Sequence, residues 1–369
     1  MAPVRVHVVD PPAYTPPYDH ALCGALARAG AEVTLVTSAF AYGDVPQGGG
    51  YRVDHAFYAR GPQTPGGRAR QVARLAQHVP DMLRYRRRAP READVVHLQW
   101  LSVQQLDRRL LPRGVPLVLT AHDVLPREPR PGQHDAQRRL YERVDAVVVH
   151  SSHGRARLIE EGGVDPAKIE VIPHGAFTHL LDVPDAQPLT GDLAGVTGPV
   201  VLLFGLLRPY KGIDVALEAW RGITGAELWI VGMPRMDITE LKAGAPPGVR
   251  FVERFVPDTD IAAFFARADV VTLPYREIDQ SGVLFTALAF GRPIVLSDVG
   301  GFAEVARTGA ALLVPPGDPA ALREALQGLL ADEQARTSLG HAAARVARED
   351  FSWDAIARAH LALYGRLRA

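Results

Sequence analysis

Short apolar runs, rich in valine and bounded by turn residues, recur from one end of the chain to the other, with longer segments of helical period between them. A run of that kind has no polar face, so it reads as a strand buried on both sides. Parallel strands meet that condition when crossover helices cover both faces of their sheet, and the pattern therefore predicts an α/β fold. In the first half the runs are 4–9, 32–37, 95–98, 117–121, 146–150 and 170–173. Helices are predicted over 19–29 and over 152–161, the second capped by Ser151 or Ser152. Residues 182–199 have no period and read as a linker. The alternation restarts with runs at 200–204, 227–231, 249–252, 270–274 and 293–297, and with helices over 212–220, 259–266 and 319–331. Two doubly wound parallel-sheet units in tandem are thus expected, over 1–185 and 199–350, with a closing segment over 351–369. Open parallel sheets bind ligands at the carboxyl ends of their strands, so two such units are expected to face each other across a cleft.

A chain of 369 residues, 47% of them hydrophobic, has material for two cores. Its 41 basic and 41 acidic side chains cancel, leaving no overall field to gather nucleic acid, and none is expected as a partner. Cys23 stands alone, which excludes an intramolecular disulfide. The apolar run at the N-terminus is too short for a signal peptide and no window reaches the ~18 apolar residues of a membrane span, so a cytoplasmic protein is expected. Lys168, Lys211 and Lys242 are the lysines, leaving 38 arginines among the 41 basic residues; this bias strips arginine number of functional meaning. The stretch 84–91, with Arg86, Arg87 and Arg88 adjacent, leaves two readings open, a solvated helix end or a patch for a membrane surface or an anionic acceptor.

The loops after the strands carry the chemistry. The first, residues 10–19, is rich in proline and has no glycine, so it lacks the backbone approach that a dinucleotide pyrophosphate needs; no P-loop pattern occurs elsewhere. It reads as a rigid surface loop or as a wall on the acceptor side. A second loop delivers His122 and Asp123 from the run 117–121, which reads as a satisfied structural histidine or as a site pair in which the carboxylate orients the imidazole or caps the next segment. A third places Arg208 and Lys211 on a strand-to-helix turn, a pair of cations suited to a diphosphate. A fourth runs from Leu273 through Glu277, Asp279, Gln280 and Ser281 into an apolar helix, whose first amides, Gly282 and Val283, favour phosphate. Glu277 and Asp279 read as sugar-hydroxyl acceptors or as charges favouring the helix dipole. Gly300 and Gly301 open another such turn before Glu304. Asp258-Thr259-Asp260 has the form of a metal-binding D-x-D, but the amphipathic segment behind it predicts a helix cap instead.

The order and spacing of Arg208-Pro209-Tyr210-Lys211-Gly212, of 269–275 and of 291–304 resemble the GT-B glycosyltransferases of the retaining family 4. The likeness extends to His122-Asp123, to Val149-His150-Ser151, to 171–175, and to Phe351-Ser352-Trp353 ahead of a last helix, which in that family crosses back to the N-terminal domain. The resemblance implies two Rossmann-like domains, a nucleotide-sugar donor on the C-terminal one, and a small-molecule or glycan acceptor on the N-terminal one. It implies that Arg208 and Lys211 bind the diphosphate and that His122 contacts the donor sugar near the reacting centre. Glu277, Gln280, Ser281, Thr286 and Glu304 are then expected to touch the donor sugar or ribose, and Asp279 to stand with His122 as catalytic. Two positions depart from the family pattern. Counting back from Gly291, its Glu-x7-Glu falls on Ile278 and Thr286, and its arginine after the first C-domain glycine is Leu206, with Arg208 two residues on. The expected activity is retaining hexosyl transfer without a metal or other cofactor, by front-face attack; a nucleotide-sugar epimerase or a non-catalytic partner of the same fold is the alternative.

Overall fold

The computed structural model describes residues 2–369 apart from 44, 46–48, 61–67 and 127–130. It divides into two compact units, Met1–Pro173 together with Trp353–Ala369, and His174–Ser352.

The first unit runs β1 (Arg5–Asp10), α1 (Pro16–Arg28), β2 (Glu32–Thr37), β3 (Arg52–Asp54), α2 (Arg68–Glu92), β4 (Val95–Leu98), α3 (Gln104–Leu110), β5 (Leu117–Thr120), α4 (Gln133–Arg143), β6 (Ala146–Val149), α5 (Ser152–Glu160) and β7 (Ile169–Val171). Its strands form one seven-stranded sheet in the order β3-β2-β1-β4-β5-β6-β7, each neighbouring pair parallel. Ser151 caps α5 as expected, its hydroxyl accepting from the Gly154 amide.

The second unit runs β8 (Val200–Phe204), α6 (Ile213–Trp220), β9 (Glu227–Val231), α7 (Thr239–Ala243), β10 (Val249–Val252), α8 (Asp258–Arg267), β11 (Val270–Leu273), α9 (Gly282–Ala289), β12 (Ile294–Ser297), α10 (Phe302–Ala306), β13 (Leu312–Val314), α11 (Pro319–Ala331) and α12 (Glu333–Glu349). Its sheet has six parallel strands in the order β10-β9-β8-β11-β12-β13. Successive residues of β8 enter opposite cores: Val200, Leu202 and Phe204 join one cluster, Val201 and Leu203 the other. This two-sided burial is why the run has no polar face.

The last helix, α13 (Trp353–Arg368), belongs to the first unit. Tyr364 holds it there by a hydrogen bond between its hydroxyl and His97 Nδ1 (2.7 Å), and Arg28 pairs with Asp354 at 2.7 Å. Among the described residues no helix is long and apolar enough to cross a membrane.

Two sequence expectations shift. The chain changes units at 173/174, ahead of the linker, because Phe177 packs on Gly282 and the His174 ring stacks on Phe285 at 4.4 Å. Asp258-Thr259-Asp260 is not a cap: Pro257 occupies the N-cap and both acids lie in the first turn of α8, where they favour the dipole and Arg254 pairs with Asp260 at 2.7 Å. In the basic stretch, Arg84 pairs with Asp81, Arg86 donates to the Arg109 carbonyl, and Arg88 pairs with Asp54.

Gly300 ties two loops of the second unit together. It adopts φ 54°, and a Cβ there would stand 1.7 Å from the Ile278 carbonyl oxygen. Gly300→Ala is expected to destabilise the chain by about 2–3 kcal/mol, combining left-handed strain with displacement of 278–279. Chemical denaturation measures it, and an unchanged midpoint rules the contact out as a constraint.

Candidate functional site

In the second unit the diphosphate candidates come together at the carboxyl ends of β8 and β11. Gly205 follows β8 with φ 108°, and a Cβ there would lie 2.9 Å from Lys211 Nζ, so a glycine lets the lysine side chain fold back beneath the strand end. The next residues bridge to the β9 loop through Leu207 N to Met233 O (3.0 Å) and Arg235 N to Leu207 O (2.9 Å), which fixes the backbone carrying Arg208. Arg208 is extended and half-buried, three residues ahead of Lys211 on a 3₁₀ turn. Lys211 is buried, 4% exposed. It donates to the Tyr275 hydroxyl at 2.5 Å, and it lies 4.4 Å from the centre of the same ring. Tyr275, fully buried at the end of β11, reaches Ser281 Oγ at 3.5 Å. Lys211, Tyr275 and the N-cap of α9 thus form one chain of contacts.

Ser281 is the N-cap of α9, and its own amide donates to Gln280 Oε1 at 3.1 Å. The Gly282 and Val283 amides of the first turn have no acceptor within the helix and present the positive end of its dipole. Asp279 is buried and Glu277 exposed; the Asp279 carbonyl accepts from the Gly301 amide at 3.3 Å, which ties this loop to the start of α10, whose first turn carries Glu304. Ile278 is a core residue, so the first family glutamate position is apolar here. Thr286, at the second, spends its hydroxyl proton on the Gly282 carbonyl at 3.0 Å, one turn inside the helix.

In the first unit four adjacent strand ends meet. His122, after β5, lies face to face with the Trp100 ring (5.0 Å, 10°), and Tyr18 meets it edge-on at 4.7 Å. Its Nε2 hydrogen-bonds Gln99 Oε1 at 3.0 Å and its Nδ1 faces His150 Nε2 at 3.4 Å. His150 Nδ1 donates to the Ile172 carbonyl at 3.0 Å, and burial lowers its pKa to about 4.

The proline-rich loop folds around a carboxylate. Asp10 Oδ2 accepts from the amides of Tyr14 (2.6 Å) and Thr15 (3.2 Å), so these amides serve an internal anion where a glycine-rich loop would offer them to a ligand. Asp19 donates to Asp10, and burial first, then the neighbouring carboxylate, raises its pKa well above the ordinary range; burial raises that of Asp10 as well. Sequence reasoning missed Asp10, Asp19, Gln99, Trp100 and Tyr275 as site residues. Gln99 and Trp100 directly follow an expected strand, and that position was the available signal.

Opposite pH dependences follow in this unit. Burial depresses the pKa of His150 and His360, each to about 4, and that of His97. The unfolded chain then binds more protons below the ordinary value of 6.5, and stability falls as pH drops from there toward 4. Asp10 and Asp19 are raised, so their contribution is complete below 3.8 and is lost as pH rises through the folded values. Asp19→Asn is expected to raise the Tm at neutral pH and flatten its fall as pH rises above 3.8. A variant with the same slope as the wild type shows that the pair ionises freely in the fold.

Residues 198–332 match the family model described as Glycosyl transferases group 1, and residues 18–179 match that described as Glycosyltransferase Family 4. The chain belongs to the family 4 glycosyltransferases, with the GT-B fold of two Rossmann-like domains. The D-inositol 3-phosphate glycosyltransferase of Jonesia denitrificans is 32% identical over 312 residues, covering 76% of this chain and 73% of the relative. That of Xylanimonas cellulosilytica is 30% identical over 377 residues, covering 94% and 89%. Sucrose-phosphate synthase from Thermosynechococcus elongatus shares the fold with a TM-score of 0.74 at 22% identity, covering 99% of both chains. Anabaena HepE in complex with UDP-glucose gives 0.72 at 18% identity, covering 98% of this chain and all of that one.

Proposed function

We propose that the chain transfers a hexose-type sugar from a nucleoside-diphosphate sugar to a hydroxyl acceptor, with retention of anomeric configuration and without a metal. The observation that carries this reading is the buried Lys211 ammonium, fixed on Tyr275 beside the first turn of α9. As the bond between the anomeric carbon and the phosphate oxygen breaks, the leaving diphosphate gains negative charge. Lys211, Arg208 and the Gly282 and Val283 amides stabilise that charge more than the ground state. The acceptor oxygen bonds to the same face of the anomeric carbon, and its proton passes to the departing phosphate oxygen. This route asks for no carboxylate nucleophile, which suits a loop whose family glutamate positions hold Ile278 and Thr286. The UDP-glucose held by HepE and the names of the relatives support a nucleotide-sugar donor and a hydroxyl acceptor.

A thermal-shift screen of nucleoside diphosphates tests the donor, since a ligand at 100 times its Kd stabilises by ~2.7 kcal/mol. Activity after exhaustive chelation is expected to stay within about twofold of the untreated enzyme, because cations and amides at the site already neutralise the leaving group. Proton NMR of the first-formed product is expected to show the donor's configuration. Loss of activity restored by magnesium or manganese, or an inverted product, overturns the corresponding part.

A further inference from the structure

Every backbone donor in the turn that follows β1 ends on one residue. Pro11 and Pro12 carry no N–H, so residues 11–15 offer three amides. That of Ala13 donates to the Asp10 carbonyl at 3.1 Å, and those of Tyr14 and Thr15 donate to the Asp10 carboxylate at 2.6 and 3.2 Å. Asp10 is fully buried, a costly place for a carboxylate unless its partners require it there. Ala13 adopts φ 53°, a left-handed backbone that a residue with a Cβ holds only where its surroundings enforce it. Arg74 of α2 closes the outer side, donating to the Pro12 carbonyl at 3.2 Å and to Ser38 Oγ at 3.0 Å. A strained turn with prolines at both ends is thus shaped from within by Asp10.

What the turn holds is Trp100. The indole Nε1, the one donor of that side chain, donates to Thr15 Oγ1 at 2.9 Å, and the Tyr14 ring tilts against the indole at 4.6 Å. Tyr14 and Thr15 are the two residues whose amides the Asp10 carboxylate accepts. Trp100 in turn stacks on His122, with ring centres 5.0 Å apart and planes at 10°. Contacts in series therefore join the Asp10 carboxylate to the His122 ring.

Resting on the reading of His122 as a residue of the reacting centre, we propose that Asp10 is a positioning residue for sugar transfer: its carboxylate fixes Tyr14 and Thr15, these fix the Trp100 ring, and Trp100 sets the plane of the His122 imidazole. The role is hydrogen-bond acceptance, so an isosteric amide oxygen fills it and a methyl group does not.

The test compares Asp10→Ala, Asp10→Asn and Thr15→Val in the full chain. Trp220, Trp229 and Trp353 are buried and Trp100 is half-buried, so acrylamide quenching of tryptophan fluorescence follows Trp100. Quenching is expected to rise in Asp10→Ala and Thr15→Val and to match the wild type in Asp10→Asn. Turnover of UDP-glucose and ADP-glucose, with water as the acceptor, is expected to fall about 10²-fold in Asp10→Ala, the scale of a 1 Å misplacement, with KM and nucleoside diphosphate affinity unchanged. In Thr15→Val it is expected to fall about fivefold, the loss of one neutral hydrogen bond. Asp10→Asn is expected to restore most of kcat. The double variant is expected to lose less than the sum of the two single losses, since both act through Trp100. Thr15→Val leaves Asp10 in place and repeats the measurement should Asp10→Ala fold poorly. Unchanged quenching in Asp10→Ala and Thr15→Val, additive losses, or an Asp10→Asn as slow as Asp10→Ala each overturns the proposal. A wild type that turns over neither sugar nucleotide removes the function reading and the role in transfer with it, and quenching then decides by itself whether Asp10 holds Trp100.

Discussion

Replacing Lys211 by alanine is expected to weaken nucleoside diphosphate binding roughly 10- to 150-fold, the range of a charge-assisted hydrogen bond removed from a preorganised site. Lys211 is already buried, 4% exposed, with its ammonium held at 2.5 Å by the Tyr275 hydroxyl, so it loses little further hydration or freedom when the ligand arrives. Arg208, half-buried on the same turn, has more solvent and freedom to lose, and Arg208→Ala is expected to fall toward the lower end of that range. Tyr275→Phe separates positioning from charge. It keeps the ring under Lys211 and deletes the hydroxyl, so binding is expected to weaken less than in Lys211→Ala. Calorimetry on variants of matched Tm reads each effect, and unchanged affinity in both cation variants removes the diphosphate assignment.

The sheets were legible because their strands are buried on both faces; β2, β4, β8, β9 and β10 carry the bounds expected for them. What escaped were β3 and β13, each at a sheet edge and three residues long. β3, Arg-Val-Asp, has no apolar run to mark it, whereas β13 lies in the short apolar run 310–314, two of whose strand residues are exposed at the sheet edge. Helix α2 contains Pro80 and Pro90, which break its helical reading in sequence. At the site, Arg208, Lys211, Ser281 and His122 were legible from their places after strands. Tyr275 closes the segment 269–275, but its hold on Lys211 joins residues 64 positions apart and leaves no local trace. Likewise, Asp10 and Asp19 look like a strand-end acid and a first-turn acid. Only the fold, by burying them together, turns them into a proton-sharing pair that shapes the loop.

His122→Ala is expected to lower kcat about 10²-fold or more while leaving nucleoside diphosphate affinity intact. The ring is fixed on three sides: Trp100 stacks on it, Tyr18 meets it edge-on, and Gln99 holds Nε2. Such fixing removes the freedom that a catalytic group would otherwise have to lose in the transition state. The diphosphate candidates all lie in the other unit, which is why turnover and nucleotide affinity are expected to separate. His122→Gln distinguishes chemistry from packing. It keeps a hydrogen-bonding group near Gln99 but discards the imidazole, so a positional role is rescued and a proton-carrying one is not. The pH profile of kcat in the two variants gives the second readout, since loss of a proton-carrying group alters it and loss of a packing group does not. If His122→Ala unfolds at much lower temperature yet keeps normal specific activity, the histidine serves the packing of Trp100 and Tyr18 and not the reaction.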